Sequence, residues 1–280
     1  MQCQICKSKQ IERYTRIDNT DIYQCLGCKL AFVDPKTARR KTDTIYSLED
    51  YKKREGQYIK RYTYVVDLVK TYTQGKRILE VGAGFGLLSS MLYRSGFDVE
   101  VLEPDVCPYY LRNLSVSIHM NNLKEYAQHT KKLYDVIILY DVLEHIDNPM
   151  ETVAILQKLL YKKGIVLIQT PNYLSLMARI VKKWSWWMVE DHRYFFSKQS
   201  LYLLFCLKRW KSLFYSTYEE WPDVKKNLDG NFMSITWHPM RKFIKIIFFA
   251  LFIPVYFLGK TYLWKSGKGG LHIAIWQVTL

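Results

Sequence analysis

The stretch that decides the fold is Lys76–Ser90, which reads KRILEVGAGFGLLSS. Its first part, Arg77–Val81, is a short apolar run typical of a buried parallel strand. Three glycines follow at alternate positions, Gly82, Gly84 and Gly86, and apolar residues at helical spacing come next. The pattern predicts a strand, a glycine-rich turn and a helix. Such a turn lets a ligand approach the backbone closely, and the helix N-terminus offers it free N–H groups.

Two carboxylates near this turn select the ligand. The turn reads E-x-G-x-G-x-G rather than the G-x-G-x-x-G of dinucleotide-binding proteins, and Glu80 is the last polar residue of the strand. A carboxylate there repels a pyrophosphate and attracts an ammonium group. Glu103 ends the next predicted strand, where it can accept hydrogen bonds from ribose hydroxyls. S-adenosylmethionine carries both an amino-acid ammonium and a ribose, and it has no phosphate.

Two further motifs extend this pattern, YDVIILYDVLEHIDNP at Tyr134–Pro149 and GIVLIQTPN at Gly164–Asn172. Together with the glycine-rich turn, they resemble class I S-adenosylmethionine-dependent methyltransferases over about Arg77–Asn172. The branch that they resemble includes ubiquinone-biosynthesis O-methyltransferases and sugar and cell-envelope methyltransferases. The resemblance implies an α/β, Rossmann-like fold with a seven-stranded, mostly parallel sheet and helices on both faces. The alternative, a strand–turn–helix whose glycines serve packing, is disfavoured by three motifs in order.

The resemblance also implies which residues bind the cofactor. At the glycine-rich turn and the strand ends these are Glu80, Gly82, Ala83, Gly84, Gly86, Glu103 and Tyr140. Asn122 and Leu123 lie where the family contacts the adenine. Many relatives carry an acidic residue where Asn122 stands, but an amide can also bond the adenine edge.

A metal site is predicted near the start of the chain, from two C-x-x-C pairs separated by eighteen residues. Its ligands are Cys3, Cys6, Cys25 and Cys28. Four thiolates at this spacing can surround zinc, and the intervening residues predict a hairpin that turns at Asp18–Asp21. Because thiolates fill all four positions, the predicted zinc is structural. A redox dithiol is the alternative.

The motifs divide the chain into three predicted parts: a zinc ribbon at 1–35, a linker and covering helix at 36–75, and the methyltransferase domain at 76–280. The helix, Tyr51–Tyr72, carries an apolar stripe and is expected to cover the sheet and the mouth of the cofactor site. A basic cluster at 39–41 is predicted to lie in a loop. The segment after the ribbon, which includes F-V-D-P, is similar to zinc-ribbon methyltransferases that modify sugars.

The predicted core consists of seven strands and five helices. The strands are Arg77–Val81, Asp98–Leu102, Val116–His119, Tyr134–Leu139, Ile165–Gln169, Trp210–Tyr218 and an antiparallel edge strand at Leu271–Val278. The first helix follows the glycine-rich turn, from Gly86 to about Ser95. The others are Pro104–Leu111, one that runs from Asn148 to a stop at Gly164, Leu174–Trp187, and Lys198–Cys206 capped by Ser197.

The formal net charge of +15 is concentrated late in the chain. Residues 171–280 hold 16 Lys/Arg and 6 Asp/Glu, against 10 and 11 in residues 71–170. The excess predicts phosphate-bearing partners or an anionic membrane surface; a surface tuned for solubility is the alternative. Met1–Gln10 is polar and shows no secretory signal, and the C-x-x-C pairs favour a reducing cytoplasm.

An apolar segment at Phe243–Trp264 contains thirteen consecutive uncharged residues, Ile246–Leu258, with Pro254 among them. A spanning helix needs about 20 apolar residues, so this run is judged too short. It predicts either an anchor at the inner face of the membrane or a helix packed on the sheet.

Methyl transfer to a hydroxyl requires a base beside the acceptor. The candidates follow the fourth strand and a later H-x-x-x-F segment: His145, His192 and Asp141, with Glu144 beside them. His145 titrates near neutrality and is the first choice. The alternative is that Glu144 and His145 order their loop. No activating metal is required in principle, because a sulfonium is already reactive.

Three functions remain open. The first is O-methylation of a sugar or lipid-linked small acceptor in cell-envelope polysaccharide synthesis. The second is an rRNA or tRNA methyltransferase that uses the ribbon as a substrate module, which the positive charge suits. The third is a non-catalytic scaffold at a membrane, which the intact cofactor motif disfavours. DNA methylation is disfavoured, because Tyr140–Leu143 reads YDVL rather than NPPY and Cys107-Pro108 lies on the wrong loop.

Overall fold

A computed structural model describes residues 1–34, 47–181, 184–232 and 236–279, and it confirms the predicted α/β fold. The strands are β1 (Ile11–Ile17), β2 (Thr20–Cys25), β3 (Ala31–Val33), β4 (Arg77–Val81), β5 (Asp98–Leu102), β6 (Ser117–His119), β7 (Tyr134–Tyr140), β8 (Leu160–Pro171), β9 (Tyr194–Phe195), β10 (Trp210–Tyr218) and β11 (Leu271–Val278). The helices are α1 (Leu48–Lys53), α2 (Glu55–Tyr72), α3 (Leu87–Arg94), α4 (Leu123–His129), α5 (Pro149–Leu159), α6 (Leu176–Ile180), α7 (Lys198–Cys206), α8 (Trp221–Asn231) and α9 (His238–Lys265). The basic cluster at 39–41 and most of the predicted linker lie outside the described residues.

The main sheet has seven strands in the order β10-β11-β8-β7-β4-β5-β6. Strand β11 is antiparallel to both of its neighbours, whereas the pairs among β4 to β8 are parallel. The prediction that β11 forms an edge was wrong, because β10 lies outside it. Strand β11 is buried along almost its whole length and suits an inner position, and the partly exposed β10 suits the edge.

Both faces of the sheet are covered, and alternate residues of the central strand β7 point to opposite faces. Ile137 packs in the apolar layer with Leu156 of α5 and Leu204 of α7. Ile138 packs in the other layer, with Val69 of α2. Each fully buried side chain of this size contributes roughly 1.5–3 kcal/mol. These two layers fix the strand ends at which the functional site lies.

The four cysteines belong to a second, antiparallel sheet of order β1-β2-β3-β9. The predicted hairpin is present, but its turn is two residues, with Asp18 and Asn19 in the left-handed region, and Thr20 and Asp21 already pair with β1. Strand β9 comes from the later part of the chain and pairs with β3. The ribbon is therefore joined to the methyltransferase region by a shared sheet.

Three helix predictions were wrong. Helix α5 ends at Leu159 rather than at Gly164, because the chain enters β8 at once and pairs Leu160 with Tyr134 of β7. The segment predicted as Leu174–Trp187 is helical only in α6, and its residues 182–183 lie outside the described part. The segment 104–111 holds a single 3-10 turn at Tyr109–Leu111. In the case of α5, the pairing of Leu160 with Tyr134 overrides a weak local preference for helix.

Helix α9 is longer than its apolar run suggests. It covers His238–Lys265, 28 residues with a mean hydropathy of 1.9 in its most apolar window, and is long and apolar enough to cross a membrane. The estimate that the segment is too short is therefore corrected. Within the described residues, Tyr256 is the only residue of α9 that is fully buried.

Arg61 of α2 forms the most buried ion pairs with α8. Its guanidinium lies 2.9 Å from Glu220 and 2.5 Å from Asp223, and its side chain is 7% exposed. We expect Arg61→Gln to lower the free energy of unfolding by about 3 kcal/mol or more, because two buried carboxylates lose their cation. The neighbouring exposed Lys60→Gln serves as control and should change stability by less than about 0.5 kcal/mol. Equal denaturation midpoints for the two variants would contradict the assignment.

Candidate active site

The glycine-rich turn lines a crevice at the carboxyl end of β4, the place where open α/β sheets bind ligands. Gly82 has φ +70°, and a Cβ there would lie 2.6 Å from Val142 on the loop after β7. Gly84 has φ +54°, but a Cβ there would meet nothing within 4 Å. Gly82 is therefore required by close packing. The backbone at Gly84 faces open space.

Glu80 and Glu103 lie at the carboxyl ends of adjacent strands and are both buried. Glu80 accepts a hydrogen bond from Ser89 of α3. Burial raises the pKa of Glu80 to about 8, and the nearby charge of Glu103 adds to this effect. Glu103 accepts a 2.6 Å hydrogen bond from the Gly84 N–H and further bonds from the N–H groups of residues 105 and 106. The second carboxylate thus shapes the turn as well as facing the crevice.

Tyrosines of α1 and α2 cover the turn, as expected for the covering helix. Tyr51 stacks on Tyr58 with ring centroids 4.3 Å apart and makes an edge contact with Phe85 of the turn at 5.0 Å. Tyr62 makes an edge contact with Tyr140 at 5.2 Å. An aromatic wall of this kind excludes water from a crevice and presents π faces to a bound cation.

Four other residues assigned to the cofactor lie in the turn, at the end of β7 and at the start of α4. Ala83 is in the turn between Gly82 and Gly84, and Tyr140 ends β7, where its hydroxyl lies 2.8 Å from that of Tyr218. Asn122 is the N-cap of α4, and its side chain accepts a hydrogen bond from the Glu125 N–H. Leu123 follows it as the first residue of the helix. The Asn122 side chain therefore caps α4, which is a structural role that the sequence did not reveal.

The catalytic candidates meet beyond the end of β7. The ring centroids of His145 and His192 are 4.8 Å apart, although 46 residues separate them in sequence. Glu144 receives a 2.9 Å hydrogen bond from the Thr170 hydroxyl at the end of β8. Asp141 directly follows β7 in a left-handed conformation, φ 54°. The segment that leads into β9 carries His192 to the others.

The two histidines differ in what they can do. His145 Nδ1 lies 3.1 Å from the Asp191 carbonyl oxygen, which can only accept, so Nδ1 donates and Nε2 keeps its lone pair. Burial lowers the pKa of His145, which stays neutral near pH 7. Burial, helped by His145, lowers the pKa of His192 to about 3. His192 is too buried to exchange protons with solvent, and His145 is the better base.

The carboxyl groups beside them carry raised pKa values. Burial raises the pKa of Asp141 to about 7, although the positive charge of Arg61 acts to lower it. Burial, and then the charge of Asp141, raise the pKa of Glu144 well above its ordinary value. Perturbed pKa values in a buried cluster at the carboxyl ends of strands are typical of catalytic sites.

Several buried polar atoms around this cluster have no hydrogen-bond partner among the described residues. They are Asp141 Oδ1, Glu144 Oε1, His192 Nδ1, Glu219 Oε1 and both side-chain polar atoms of Gln169. Orphaned buried polar atoms in a native protein require an explanation, and a bound polar ligand supplies one. The sequence did not single out Arg61, Gln169 or Glu219. The polar Gln169 at the end of an apolar strand could have been recognised from the sequence as a candidate site residue. The pairing of Arg61 with Glu220 could not, because the two residues are 159 positions apart.

Among the residues that the structure describes, two groups of side chains have the geometry to hold a metal ion. The sulfur atoms of the four cysteines lie within 4.8 Å of one another, with Cys3 and Cys28 3.5 Å apart and Cys6 and Cys25 3.4 Å apart. Tetrahedral zinc with Zn–S bonds of about 2.3 Å requires sulfur separations of about 3.8 Å. The second group is Glu144, His145 and His192.

The parallel sheet, the glycine-rich turn and the two strand-end carboxylates define a nucleoside-binding α/β protein. A family profile described as a methyltransferase domain matches residues 51–206, more than half of the chain. The chain therefore belongs to the class I S-adenosylmethionine-dependent methyltransferases, as the motifs predicted.

Comparisons with individual relatives support the same family and the same fold. The ubiquinone biosynthesis O-methyltransferase of Rickettsia bellii strain OSU 85-389 is 31% identical over 120 residues, which cover 40% of this chain and 50% of that enzyme. The chain thus matches about half the length of this relative. An S-adenosylmethionine-dependent methyltransferase from Archaeoglobus fulgidus superposes with a TM-score of 0.53 at 13% identity, covering 78% of this chain and 94% of that one. A possible histamine N-methyltransferase from Thermotoga maritima gives 0.51 at 13% identity, covering 82% and 95%. Both structures support the fold.

Proposed function

We propose that the protein transfers a methyl group from S-adenosylmethionine to a hydroxyl oxygen of a small acceptor. The observation that carries the proposal is the cluster of Glu144, His145 and His192 beyond the carboxyl end of β7, the same end of the sheet at which the glycine-rich turn follows β4. The matched relative named above is an O-methyltransferase, which favours oxygen as the acceptor atom.

The roles proposed for the side chains follow from their surroundings. S-adenosylmethionine, when bound, supplies a methyl group on a sulfonium. Glu80 is assigned to its ammonium group and Glu103 to its ribose, while the tyrosines of α1 and α2 exclude water. His145 Nε2 takes the proton of the acceptor hydroxyl, and the Asp191 carbonyl holds the ring in the required tautomer. The orphaned oxygens of Asp141 and Glu144 are available to hydrogen-bond and orient the acceptor.

We further propose a sugar or lipid-linked acceptor in cell-envelope polysaccharide synthesis, and a cytoplasmic protein at the inner face of the membrane. The cationic C-terminal third supports this choice, as does the resemblance of the segment after the ribbon to zinc-ribbon methyltransferases that modify sugars. Incubation with methyl-labelled cofactor and separated nucleotide-sugar, envelope-lipid and RNA fractions tests it. Label in a sugar or lipid fraction is expected. Label in RNA alone would refute the acceptor class, and no cofactor binding at all would favour a scaffold.

The four cysteines are proposed to bind one structural zinc ion. Their sulfur atoms are close to the separations that tetrahedral zinc requires, and three of the four residues are almost completely buried. The ribbon has little apolar core, so metal binding would supply much of its folding free energy. The ribbon would then hold β3 against β9, and with it the segment that carries His192.

We expect Cys25→Ser to lose the zinc and to lower the thermal midpoint by several degrees, because a thiolate ligand is removed from a closed site. Elemental analysis of the purified protein should give one zinc per wild-type chain and much less for the variant. Cys206→Ser, an exposed cysteine outside the ribbon, is the control and should keep the metal. Full zinc content in Cys25→Ser, or none in the wild type, would rule the site out.

A further inference from the structure

The long helix α9 has one face packed on the protein and one face bare. Phe248, Phe249, Phe252 and Tyr256 pack against α8 and against Phe232 at its C-terminal end. The opposite face is apolar and exposed along the whole helix: Leu251 is 70% exposed, Val255 69% and Leu258 87%. Exposed apolar surface of this extent on a folded protein marks an interaction site.

We propose that this bare face lies in the surface of an anionic phospholipid bilayer, as an interfacial helix rather than a spanning one. The charge distribution selects this occupant. Helix α9 contains five Lys/Arg and no Asp/Glu, and Arg241 and Lys242 lie near one end while Lys260 and Lys265 lie near the other. Cations at both ends of an apolar face suit anionic headgroups above an acyl boundary.

Binding of a second copy of the chain to this face is disfavoured by charge. Two α9 helices packed antiparallel would bring the Arg241 end of one against the Lys265 end of the other, and parallel packing would pair identical cations. Since the helix has no acidic residue, nothing on it offsets that repulsion.

A spanning position is also disfavoured, because polar groups tie α9 to α8. Lys245 forms a 2.6 Å ion pair with Asp229, and the Tyr256 hydroxyl donates to the Glu219 carbonyl. Helix α8 itself carries charged residues that hydrocarbon would not accept. A helix lying in the interface leaves these contacts intact and buries only the bare face.

The C-terminal end of the helix is linked to residues near the proposed acceptor site. The Trp264 carbonyl accepts from the Thr217 hydroxyl at 2.8 Å, and the Asn172 amide donates to the Gly267 carbonyl at 3.1 Å. Asn172 follows β8 two residues after Thr170, which bonds Glu144. A bilayer against α9 would therefore present membrane-borne acceptors to the crevice. This last step rests on the proposed function, whereas the lipid contact does not.

The test uses flotation of the full chain with vesicles of phosphatidylglycerol and phosphatidylcholine, and with phosphatidylcholine alone. We expect binding to the anionic vesicles to be about tenfold or more stronger and to weaken as salt is added. The variant Leu251→Gln/Val255→Gln/Leu258→Gln should lose about tenfold or more of that binding. The double variant Ile118→Gln/Leu207→Gln changes exposed apolar residues outside α9 and should bind like the wild type.

Calorimetry with S-adenosylhomocysteine shows whether the triple variant is folded, and its affinity should equal that of the wild type. Undiminished vesicle binding by the triple variant, or resistance of the wild type to alkaline carbonate extraction, would overturn the interfacial helix. The proposal would also be overturned if the wild type formed a dimer that does not bind vesicles and if the triple substitution dissociated that dimer. Vesicle binding by a wild type that binds no cofactor would support the membrane contact and refute the proposed function.

Discussion

Replacement of His145 with glutamine is expected to lower kcat by about 10²- to 10⁴-fold, the usual contribution of a general base. The Asp191 carbonyl fixes the tautomer that leaves His145 Nε2 free to accept a proton. Glutamine keeps hydrogen-bonding groups of similar reach but cannot take the proton. Turnover of methyl-labelled cofactor on the acceptor fraction measures kcat, and calorimetry should give an unchanged affinity for S-adenosylhomocysteine.

A structural role for His145 makes a different prediction. If it only orders the loop, the variant loses thermal stability and cofactor affinity together with turnover. His129→Gln, at the exposed end of α4, is the matched control and should keep full activity. Full turnover in His145→Gln would transfer the role of the base to Asp141, whose pKa of about 7 also suits it.

The variant Glu80→Gln is expected to weaken the binding of S-adenosylhomocysteine by about 10- to 100-fold, the range of one charge-assisted hydrogen bond. The buried carboxylate is proposed to receive the ammonium group of the ligand, and a neutral amide offers no compensating charge. Glu100→Gln, on the neighbouring strand and paired with Lys132 and His119, is the matched control. It should leave the affinity within about threefold, because its carboxylate makes no charge-assisted bond to the ligand.

The same contact predicts how the affinity depends on pH. Burial raises the pKa of Glu80 to about 8 in the empty site, so the carboxyl is mostly protonated at pH 7. An ammonium group beside it favours the ionised form and lowers that pKa, so binding releases a proton. Affinity should therefore rise with pH and level off above about pH 8. Calorimetry at pH 7 in two buffers, phosphate and Tris, measures this proton release. The release should be present in the wild type and absent in Glu80→Gln.

The parts of the protein that the sequence predicted well depend on local patterns. Continuous apolar runs specify the inner parallel strands, and the glycines and carboxylates around β4 specify the turn. The clustering of the four cysteines follows from their spacing and from the short hairpin between the pairs. In these segments the chemistry of a few neighbouring residues decides the structure, because no distant partner is required.

The errors and omissions have a common physical cause, which is contact between distant residues. Helix α5 was predicted to continue to Gly164, but pairing between Leu160 and Tyr134 begins β8 earlier. Arg61 was overlooked because its carboxylate partners lie 159 and 162 positions away, at the start of α8. The position of β11 inside the sheet depends on the path that the chain takes through α8 and α9 between β10 and β11. The sequence of β11 alone does not encode that position.

The measurement that tests the central claim most directly is a crystal structure of the protein with S-adenosylhomocysteine. We expect the amino group of the ligand about 3 Å from the Glu80 carboxylate and its ribose hydroxyls at the same distance from Glu103. The thioether should face His145 across the space above Gly84. A ligand bound elsewhere, or a crevice at Gly84 that stays filled by side chains at saturating ligand, would contradict the account.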